Sequence, residues 1–176
     1  MTEKYLFLDR DGVINYDKGY LYKSKNLFLY LDAVNLMHKS IKAGYKVHIF
    51  TNQSGIGRKY FSKEEFLIFM TDLKRILLSL GIKEISYSFC PHKPNENCAC
   101  RKPKIGMYQE FSFDKVINLE KSIMIGDKKS DMQFGLNIGI KNLILVDRNK
   151  KFYRQNFDLP QKKYKLTNDL FEVDIS

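Results

Sequence analysis

Two aspartates separated by one residue follow an apolar run near the amino terminus. Residues 5–8 are apolar, and Asp9 and Asp11 come directly after them, with Gly12 next in the chain. A short apolar run that ends at a turn signal is typical of a buried strand in a parallel sheet, and reactive crevices lie beyond the carboxyl ends of such strands. Asp and Gly are also ordinary turn formers, so this stretch alone is equally compatible with a polar turn.

Similar polar groups follow two further apolar runs, at residues 46–50 and 122–125. Because the carboxyl ends of parallel strands lie along one edge of a sheet, we expect the groups at the three ends to converge. Their recurrence at three strand ends argues against three unrelated turns. The groups are Asp9 and Asp11, Thr51 and Asn52, and Asp127 with Asp131.

Carboxylates without a neighbouring histidine form a hard oxygen site, which suits Mg²⁺ and the phosphate oxygens that it binds. One carboxylate at such a site can attack phosphorus and form an aspartyl-phosphate, while a second can exchange a proton with the leaving oxygen. A hydroxyl, an amide and a lysine can hold the other phosphoryl oxygens, and Thr51, Asn52 and Lys102 can supply them. The pattern therefore favours phosphoryl-transfer chemistry.

The elements that must position these groups alternate between strand and helix patterns, which favours an α/β fold with a Rossmann-like, doubly wound parallel sheet. We expect Asp32 to be the N-cap of the first helix, and Ser62 with Glu65 to form a capping box at the second. The predicted strands are residues 5–8, 46–50, 84–89, 122–125 and 143–146, and the predicted helices are residues 33–42, 63–80, 106–113 and 129–138.

All three cysteines of the chain lie in one loop, at about residues 90–100, together with a histidine. Three thiolates and one imidazole make a closed tetrahedral set, which is typical of structural zinc. The odd number of cysteines and the C-x-C spacing argue against a disulfide. His38 and His48 have no such partners in the sequence, so we expect structural roles for both. The predicted zinc ligands are Cys90, His92, Cys98 and Cys100.

A length of 176 residues is most simply one domain, residues 1–176, and we assign no structure to a tail of about residues 148–176. No run approaches the apolar length of a membrane span, and the amino end lacks the apolar region of a signal peptide. We therefore expect a cytoplasmic protein with no membrane partner. The expected oligomeric state is a monomer.

The net charge of +10 is compatible with a nucleic-acid partner. However, the lysines are scattered as singles and pairs, and the aromatic residues are not interleaved with them as a stacking platform. A zinc-stabilised nucleic-acid module would also leave the strand-end acids unexplained. We therefore favour a basic surface that attracts an anionic small molecule.

Four stretches of the chain resemble the motifs of haloacid-dehalogenase-superfamily phosphatases, and the resemblance covers about residues 4–147. It implies a magnesium-dependent phosphohydrolase on a Rossmann-like fold. Many such enzymes insert a large cap domain, but the connections here are too short for one, so we expect a capless enzyme whose loops define the substrate pocket. The stretches are Asp9-Arg10-Asp11-Gly12, Thr51-Asn52-Gln53, Lys102 and Gly126-Asp127-Lys128-Lys129-Ser130-Asp131.

The same resemblance implies a role for each motif residue. Asp9 would be the nucleophile and Asp11 the general acid and base. Thr51 and Lys102 would hold the transferred phosphoryl group. The implied magnesium ligands are Asp9, the backbone carbonyl of Asp11 and Asp127, with Asp131 in support.

The zinc loop, which runs into Arg101-Lys102-Pro103, resembles two capless subfamilies, the D-glycero-D-manno-heptose-1,7-bisphosphate 7-phosphatases and the histidinol-phosphate phosphatases. Ser54 favours the former, because the latter usually have an acidic residue there. Ile105 and Lys59 depart from the heptose pattern, which commonly has proline and glycine. A nucleic-acid 3′-phosphatase is a more distant alternative. The implied substrate-binding residues are Asp17, Lys18, Gly19, Tyr20, Asn52, Gln53, Ser54, Arg58, Arg101 and Lys128.

Overall fold

A computed structural model describes residues 2–148 and 163–175 of the chain. Its strands form a six-stranded sheet in the order β3-β2-β1-β4-β5-β6, and every neighbouring pair is parallel. This is the order of a Rossmann-like, doubly wound sheet, so the predicted fold class is confirmed. The strands are β1 (Lys4–Leu8), β2 (Tyr45–Asn52), β3 (Ile85–Cys90), β4 (Ile123–Gly126), β5 (Asn142–Val146) and β6 (Lys165–Thr167).

Helices connect the strands from β1 to β5 and cover both faces of the sheet. The predicted capping box begins α3, where Ser62 accepts a hydrogen bond from the Glu65 backbone and Glu65 accepts one from the Ser62 backbone. No helix among residues 2–148 and 163–175 is long and apolar enough to cross a membrane. The helices are α1 (Leu31–Lys42), α2 (Ser54–Gly57), α3 (Lys63–Ser79), α4 (Gly106–Ser112) and α5 (Lys129–Ile138).

The core consists of two apolar layers, one on each face of the sheet. Side chains alternate along β1, so that Leu6 and Leu8 pack in one layer while Tyr5 and Phe7 pack in the other. Both faces of a parallel sheet are covered in this way, which explains why its strands are almost continuously apolar in the sequence. Burial of each such side chain stabilises the fold by about 1.5–3 kcal/mol.

The prediction that Asp32 caps the first helix is wrong, because α1 begins at Leu31, two residues before the predicted start, and Tyr30 is its N-cap. The Asp32 carboxylate instead pairs with Arg148, which donates to both of its oxygens at 2.7 and 3.0 Å. It also accepts a hydrogen bond from the Leu170 backbone N–H at 2.7 Å. This network ties α1 to the carboxyl-terminal part of the chain.

Part of the tail to which the sequence pattern assigns no structure belongs to the folded core. Residues 163–175 contribute β6, which pairs with β5, and Leu170 and Val173 are buried in the core. Three residues are too short a run to produce a strand pattern in the sequence. The rest of the tail, residues 149–162 and 176, lies outside the described part of the chain.

His48 lies on β2 with only 1% of its surface exposed. Its Nδ1 atom is 2.7 Å from Ser86 Oγ and its Nε2 atom is 3.1 Å from Ser88 Oγ, on the neighbouring strand β3. Burial, with a small contribution from the Lys115 charge, lowers the pKa of His48 from 6.5 to about 3. The imidazole is therefore neutral in the folded protein at pH values where the unfolded chain protonates it.

This difference predicts a pH dependence of stability. Between pH 6.5 and about 3 the unfolded state binds one proton more at His48 than the native state, so the stability is complete above pH 6.5 and is lost as the pH falls. The slope from one group is about 1.4 kcal/mol per pH unit. In urea unfolding at pH 7 and pH 5, we expect the wild type to lose about 2 kcal/mol more than His48→Asn. Equal losses in the two proteins would contradict the assignment, since all other groups titrate in both.

Candidate active site

Three carboxylates meet where the strand order reverses, between β1 and β4. Asp9 follows β1, Asp127 follows β4, and Asp131 lies in the first turn of α5. One oxygen atom from each carboxylate lies within 4.8 Å of the others. The point of strand reversal is where doubly wound sheets bind ligands, so the topology brings the predicted acidic residues together at the expected crevice.

Lys102 is buried against two of these carboxylates. Its Nζ atom donates to Asp9 and Asp131, each at 2.7 Å, and to the Phe50 carbonyl at 2.6 Å. Burial alone would lower the pKa of Lys102, but Asp131 and Asp9 outweigh it, so the pKa lies above its ordinary value. The ammonium is therefore a fixed positive charge in the crevice.

The single charge of Lys102 does not balance the three carboxylates of the cluster. Burial raises the pKa of Asp9 to about 6, with Lys102 opposing the shift and Asp131 adding to it. Burial and the neighbouring Asp9 raise the pKa of Asp127 to about 8. The Oδ1 atom of Asp127 is buried and has no hydrogen-bond partner. A cluster of acids with an unpartnered oxygen fits a hard divalent cation such as Mg²⁺.

Gly12 gives the Asp127 carboxylate its space. Its φ of +84° lies in the left-handed region that favours glycine, and a Cβ atom there would lie 2.5 Å from Asp127 Oδ2. Any side chain at this position would displace the acid, so the glycine of the Asp9-Arg10-Asp11-Gly12 stretch belongs to the site.

Asp11 is held by a different set of groups from those around Asp9. Arg10 donates to both carboxylate oxygens, at 2.8 to 3.1 Å, and Asn15 and Gln53 each donate once, at 2.9 and 3.1 Å. Burial alone would raise the pKa of Asp11, but the Arg10 charge and these hydrogen bonds outweigh it, so the net shift is downward. Asp11 is thus a stable carboxylate, whereas Asp9 is not.

Two amides that were expected to bind substrate have their polar atoms engaged by the protein. Gln53 is 4% exposed, and its Nε2 atom donates to Thr51 Oγ at 2.8 Å as well as to Asp11. Asn52 Nδ2 donates to the Lys102 carbonyl, and Asn52 Oδ1 accepts from the Lys102 N–H at 3.0 Å. Gln53 therefore orients Thr51 and Asp11, and Asn52 orients the backbone of Lys102.

The remaining candidate substrate residues lie around the crevice. Lys128 Nζ is 3.4 Å from Asp17 Oδ2 and 3.5 Å from Asp127 Oδ2, so it connects the loop after β1 to the carboxylate cluster. The Gly19 N–H donates to Asp17 Oδ1, which fixes a turn in that loop. Tyr20 is exposed and packs edge-on against Tyr60, with ring centroids 4.6 Å apart.

Other rim residues have fewer links to the cluster. Lys18 Nζ lies over the Phe28 ring, 4.4 Å from its centroid. Arg101 donates to the His92 carbonyl at 3.5 Å, so it joins the cysteine loop to the strand-end site. Ser54 begins the short helix α2 and is half-buried, and Arg58 at the end of that helix is exposed.

The cysteine loop brings its four predicted ligands together. The Sγ atom of Cys98 is 3.5 Å from those of Cys90 and Cys100, and His92 Nδ1 is 3.2 Å from Cys100 Sγ. The cysteines are free thiols rather than a disulfide. A tetrahedral zinc with Zn–S bonds of about 2.3 Å separates its sulfurs by about 3.8 Å, so this donor set fits zinc.

Several known proteins that this chain resembles in sequence are phosphatases. Residues 9–166 match a family model described as polynucleotide kinase 3 phosphatase. The D-glycero-beta-D-manno-heptose-1,7-bisphosphate 7-phosphatase of Helicobacter pylori is 43% identical over 149 residues, which are 84% of this chain and 86% of that protein. The corresponding alpha-heptose enzyme of Campylobacter jejuni is 42% identical, over 88% of this chain and 91% of that protein.

The chain belongs to the heptose-bisphosphate phosphatase family of the haloacid dehalogenase superfamily. The crystal structure of the B. bronchiseptica D,D-heptose 1,7-bisphosphate phosphatase, complexed with magnesium and phosphate, superposes with a TM-score of 0.82. It is 27% identical in sequence, and the match covers 96% of this chain and 94% of that one. The bifunctional histidine-biosynthesis protein HisB of Campylobacter jejuni is 38% identical, but this chain spans only 42% of its length.

Lys59 has an unusual backbone conformation. This residue, which stands where the heptose-bisphosphate phosphatase family commonly has glycine, has a φ of +60° in the left-handed region. Glycine adopts this conformation without strain, whereas Lys59 adopts it at some cost in backbone strain.

Arg10 is the residue of the site that sequence reasoning missed. It lies between two motif aspartates, and none of its side chain is exposed. An arginine between two acids at the end of a buried apolar strand needs a buried anion. This requirement is the signal in the sequence that indicates its pairing with Asp11.

Proposed function

We propose that this protein is a magnesium-dependent phosphohydrolase that removes the 7-phosphate of D-glycero-D-manno-heptose 1,7-bisphosphate, for the synthesis of nucleotide-activated heptose and surface glycans such as lipopolysaccharide. The buried cluster of Asp9, Asp127 and Asp131 around Lys102 carries the proposal for the reaction type. The heptose-phosphatase names of relatives at 42–43% identity support the substrate. We further propose that it acts as a cytoplasmic monomer with no nucleic-acid or membrane partner.

In the proposed reaction, Asp9 attacks the phosphorus atom and the bond to the sugar oxygen breaks, which leaves an aspartyl-phosphate on Asp9. Asp11, which must take up a proton from solvent when the substrate binds, gives that proton to the departing sugar oxygen. It then takes a proton from the water that attacks the aspartyl-phosphate, which regenerates Asp9 and releases inorganic phosphate. The two carboxylates have different cationic partners, because Lys102 contacts Asp9 whereas Arg10 contacts Asp11.

Mg²⁺, held by Asp9, the Asp11 carbonyl and Asp127 with Asp131 in support, would supply the positive charge that lets a phosphate approach these acids. Lys102 and the Thr51 hydroxyl would hold phosphoryl oxygens, where negative charge must be stabilised. Asn52 and Gln53 would keep these two groups in place, since each is hydrogen-bonded to one of them.

The second phosphate of the substrate requires cationic recognition away from the metal. The proposed groups are Arg58, Arg101 and Lys128, three cations close in sequence to the motif residues, and the planar fork of arginine matches phosphate oxygens. The loop from Asp17 to Tyr20, with Ser54 and Arg58 across the crevice, would contact the sugar.

Two other substrates have specific support. Histidinol phosphate is suggested by the similarity to HisB, although that protein is more than twice the length of the matched region. A 3′-phosphorylated polynucleotide is suggested by the family model that matches residues 9–166 and by the net charge of +10. Both keep the same nucleophile, so the substrate assay decides between them.

The assay measures phosphate release from both anomers of the heptose bisphosphate, from histidinol phosphate and from a 3′-phosphorylated oligonucleotide, with and without magnesium. Magnesium is omitted rather than chelated, because a chelator would also remove zinc. We expect magnesium-dependent turnover that favours a heptose bisphosphate. Asp9→Asn should lower kcat by at least about 10³-fold, because it removes the nucleophile, whereas Asp114→Asn, at an exposed aspartate after α4, should not.

A preference for histidinol phosphate or for the oligonucleotide would contradict the proposed substrate but would leave the proposed reaction at Asp9 unchanged. Substantial residual activity in folded Asp9→Asn would remove Asp9 as the nucleophile.

We also propose that Zn²⁺ binds Cys90, His92, Cys98 and Cys100 and orders the loop that leads to Lys102. Cys98→Ser should lower the zinc content per chain and the unfolding temperature, because structural zinc contributes directly to folding free energy. Glu96→Gln, in the same loop but outside the ligand set, should keep one zinc per chain. Elemental analysis of both purified proteins tests this, and a full zinc content in Cys98→Ser would refute the ligand assignment.

A further inference from the structure

Arg10 is a fully buried arginine whose charge is balanced by one carboxylate. Its side chain lies under the faces of Phe66 and Phe69, with its Cζ atom 5.6 and 4.7 Å from the ring centroids. Its other contacts are the Leu21 carbonyl at 3.0 Å and the Met70 sulfur at 3.8 Å. A guanidinium in such apolar surroundings is costly unless it is paired, and Asp11 is the acid that pairs with it.

The pairing fixes the orientation of the Asp11 carboxylate. Asp11 Oδ1 accepts from Arg10 Nε and Asn15 Nδ2, and Asp11 Oδ2 accepts from Arg10 NH2 and Gln53 Nε2. Each oxygen therefore has donors on two sides, and the planar fork of the guanidinium sets the plane that the carboxylate must adopt. Asn15 is in turn held by the loop, because its Nδ2 atom also donates to the Tyr16 carbonyl at 3.0 Å.

Gln53 connects this arrangement to the phosphate-binding side of the crevice. The same Nε2 atom that donates to Asp11 donates to Thr51 Oγ at 2.8 Å, while Gln53 Oε1 accepts from Arg10 NH2 at 3.5 Å. The amide thus spans the carboxylate, the hydroxyl and the guanidinium. Thr51 is also held by its own strand, β2, whereas the Asp11 carboxylate depends on these side-chain donors for its orientation.

We propose that Arg10 is a positioning residue, which acts through Asp11 and, with Gln53, aims the Asp11 carboxyl group at the leaving oxygen of the substrate. The inference rests on the proposed function, because it assigns Arg10 to the step in which Asp11 transfers a proton. The buried location of Arg10 keeps it away from the substrate itself. A lysine in its place would keep the charge but lose the fork that fixes the carboxylate plane.

The test compares two substrates within each preparation, so that the fraction of folded enzyme cancels. An alkyl phosphate, here heptose bisphosphate or whichever alkyl phosphomonoester the wild type prefers, needs a proton on its leaving oxygen. p-Nitrophenyl phosphate does not, because nitrophenolate is a stable leaving group. Arg10→Lys should lower kcat/KM for the alkyl ester by about 10- to 100-fold, within the range of general acid catalysis, and change kcat/KM for the aryl ester by less than about threefold.

Two further variants separate positioning from a general structural role. Gln53→Leu removes the donor on the other side of Asp11 and one hydrogen-bond partner of Thr51, so it should lower kcat/KM for both esters, and by more for the alkyl ester. Thr51→Val, the control, should lower kcat/KM for both esters alike, because both must bind the phosphoryl group. In an Asp11→Asn background, Arg10→Lys should have no further effect on the alkyl ester, since residues that act as a unit are not additive.

Each outcome decides between the proposals. Equal losses on both esters in Arg10→Lys and Gln53→Leu, or an additive effect in the Asp11→Asn background, would overturn the positioning role while the proposed function stands. If Arg10→Lys does not fold, Gln53→Leu alone carries the comparison. A wild type that hydrolyses neither ester in the presence of magnesium would overturn the proposed function, and this inference with it.

Discussion

The buried contact of Lys102 with Asp9 and Asp131 is the interaction on which the site depends. Two carboxylates and an ammonium are removed from water at the reversal point of the sheet, and loss of one partner from such a set costs about 3–5 kcal/mol. Three separate parts of the chain must therefore be in register, namely the ends of β1 and β4 and the segment that carries Lys102. Asn52 fixes that segment through its backbone, and the cysteine loop ends only two residues before it, at Cys100.

One lysine does not balance the acids around it. Asp127 is left with a buried, unpartnered oxygen and a raised pKa, whereas Asp11 is paired with its own arginine and has a lowered pKa. The two aspartates of the first motif are only two residues apart, yet the fold gives them opposite electrostatic environments. Each of the two aspartates thus has a cationic partner of its own, Lys102 for Asp9 and Arg10 for Asp11.

Local patterns in the sequence were sufficient to predict most of the strands and helices and the residues of the two clusters. Apolar runs that end in acids indicated the strands and their shared edge, Ser62 with Glu65 indicated the start of α3, and the spacing of the cysteines indicated the cluster. What the sequence could not give depends on distant contacts. Asp32 has the residue type and position of a helix cap. Its actual partners, Arg148 and Leu170, lie more than a hundred residues away, so no local pattern indicates them. The inward orientation of Gln53 likewise follows from Arg10 and Asp11, which reach it only in the folded chain.

The carboxylate cluster is proposed to bind a divalent cation, and magnesium titration of the unfolding temperature measures this binding. Wild-type protein should be stabilised saturably by Mg²⁺, as for any ligand that binds the native state alone. Asp127→Asn should lose most of this response, yet in metal-free buffer it should be at least as stable as the wild type, because the substitution removes a repelled charge. An equal magnesium response in both proteins, or a clearly less stable metal-free Asp127→Asn, would contradict the account.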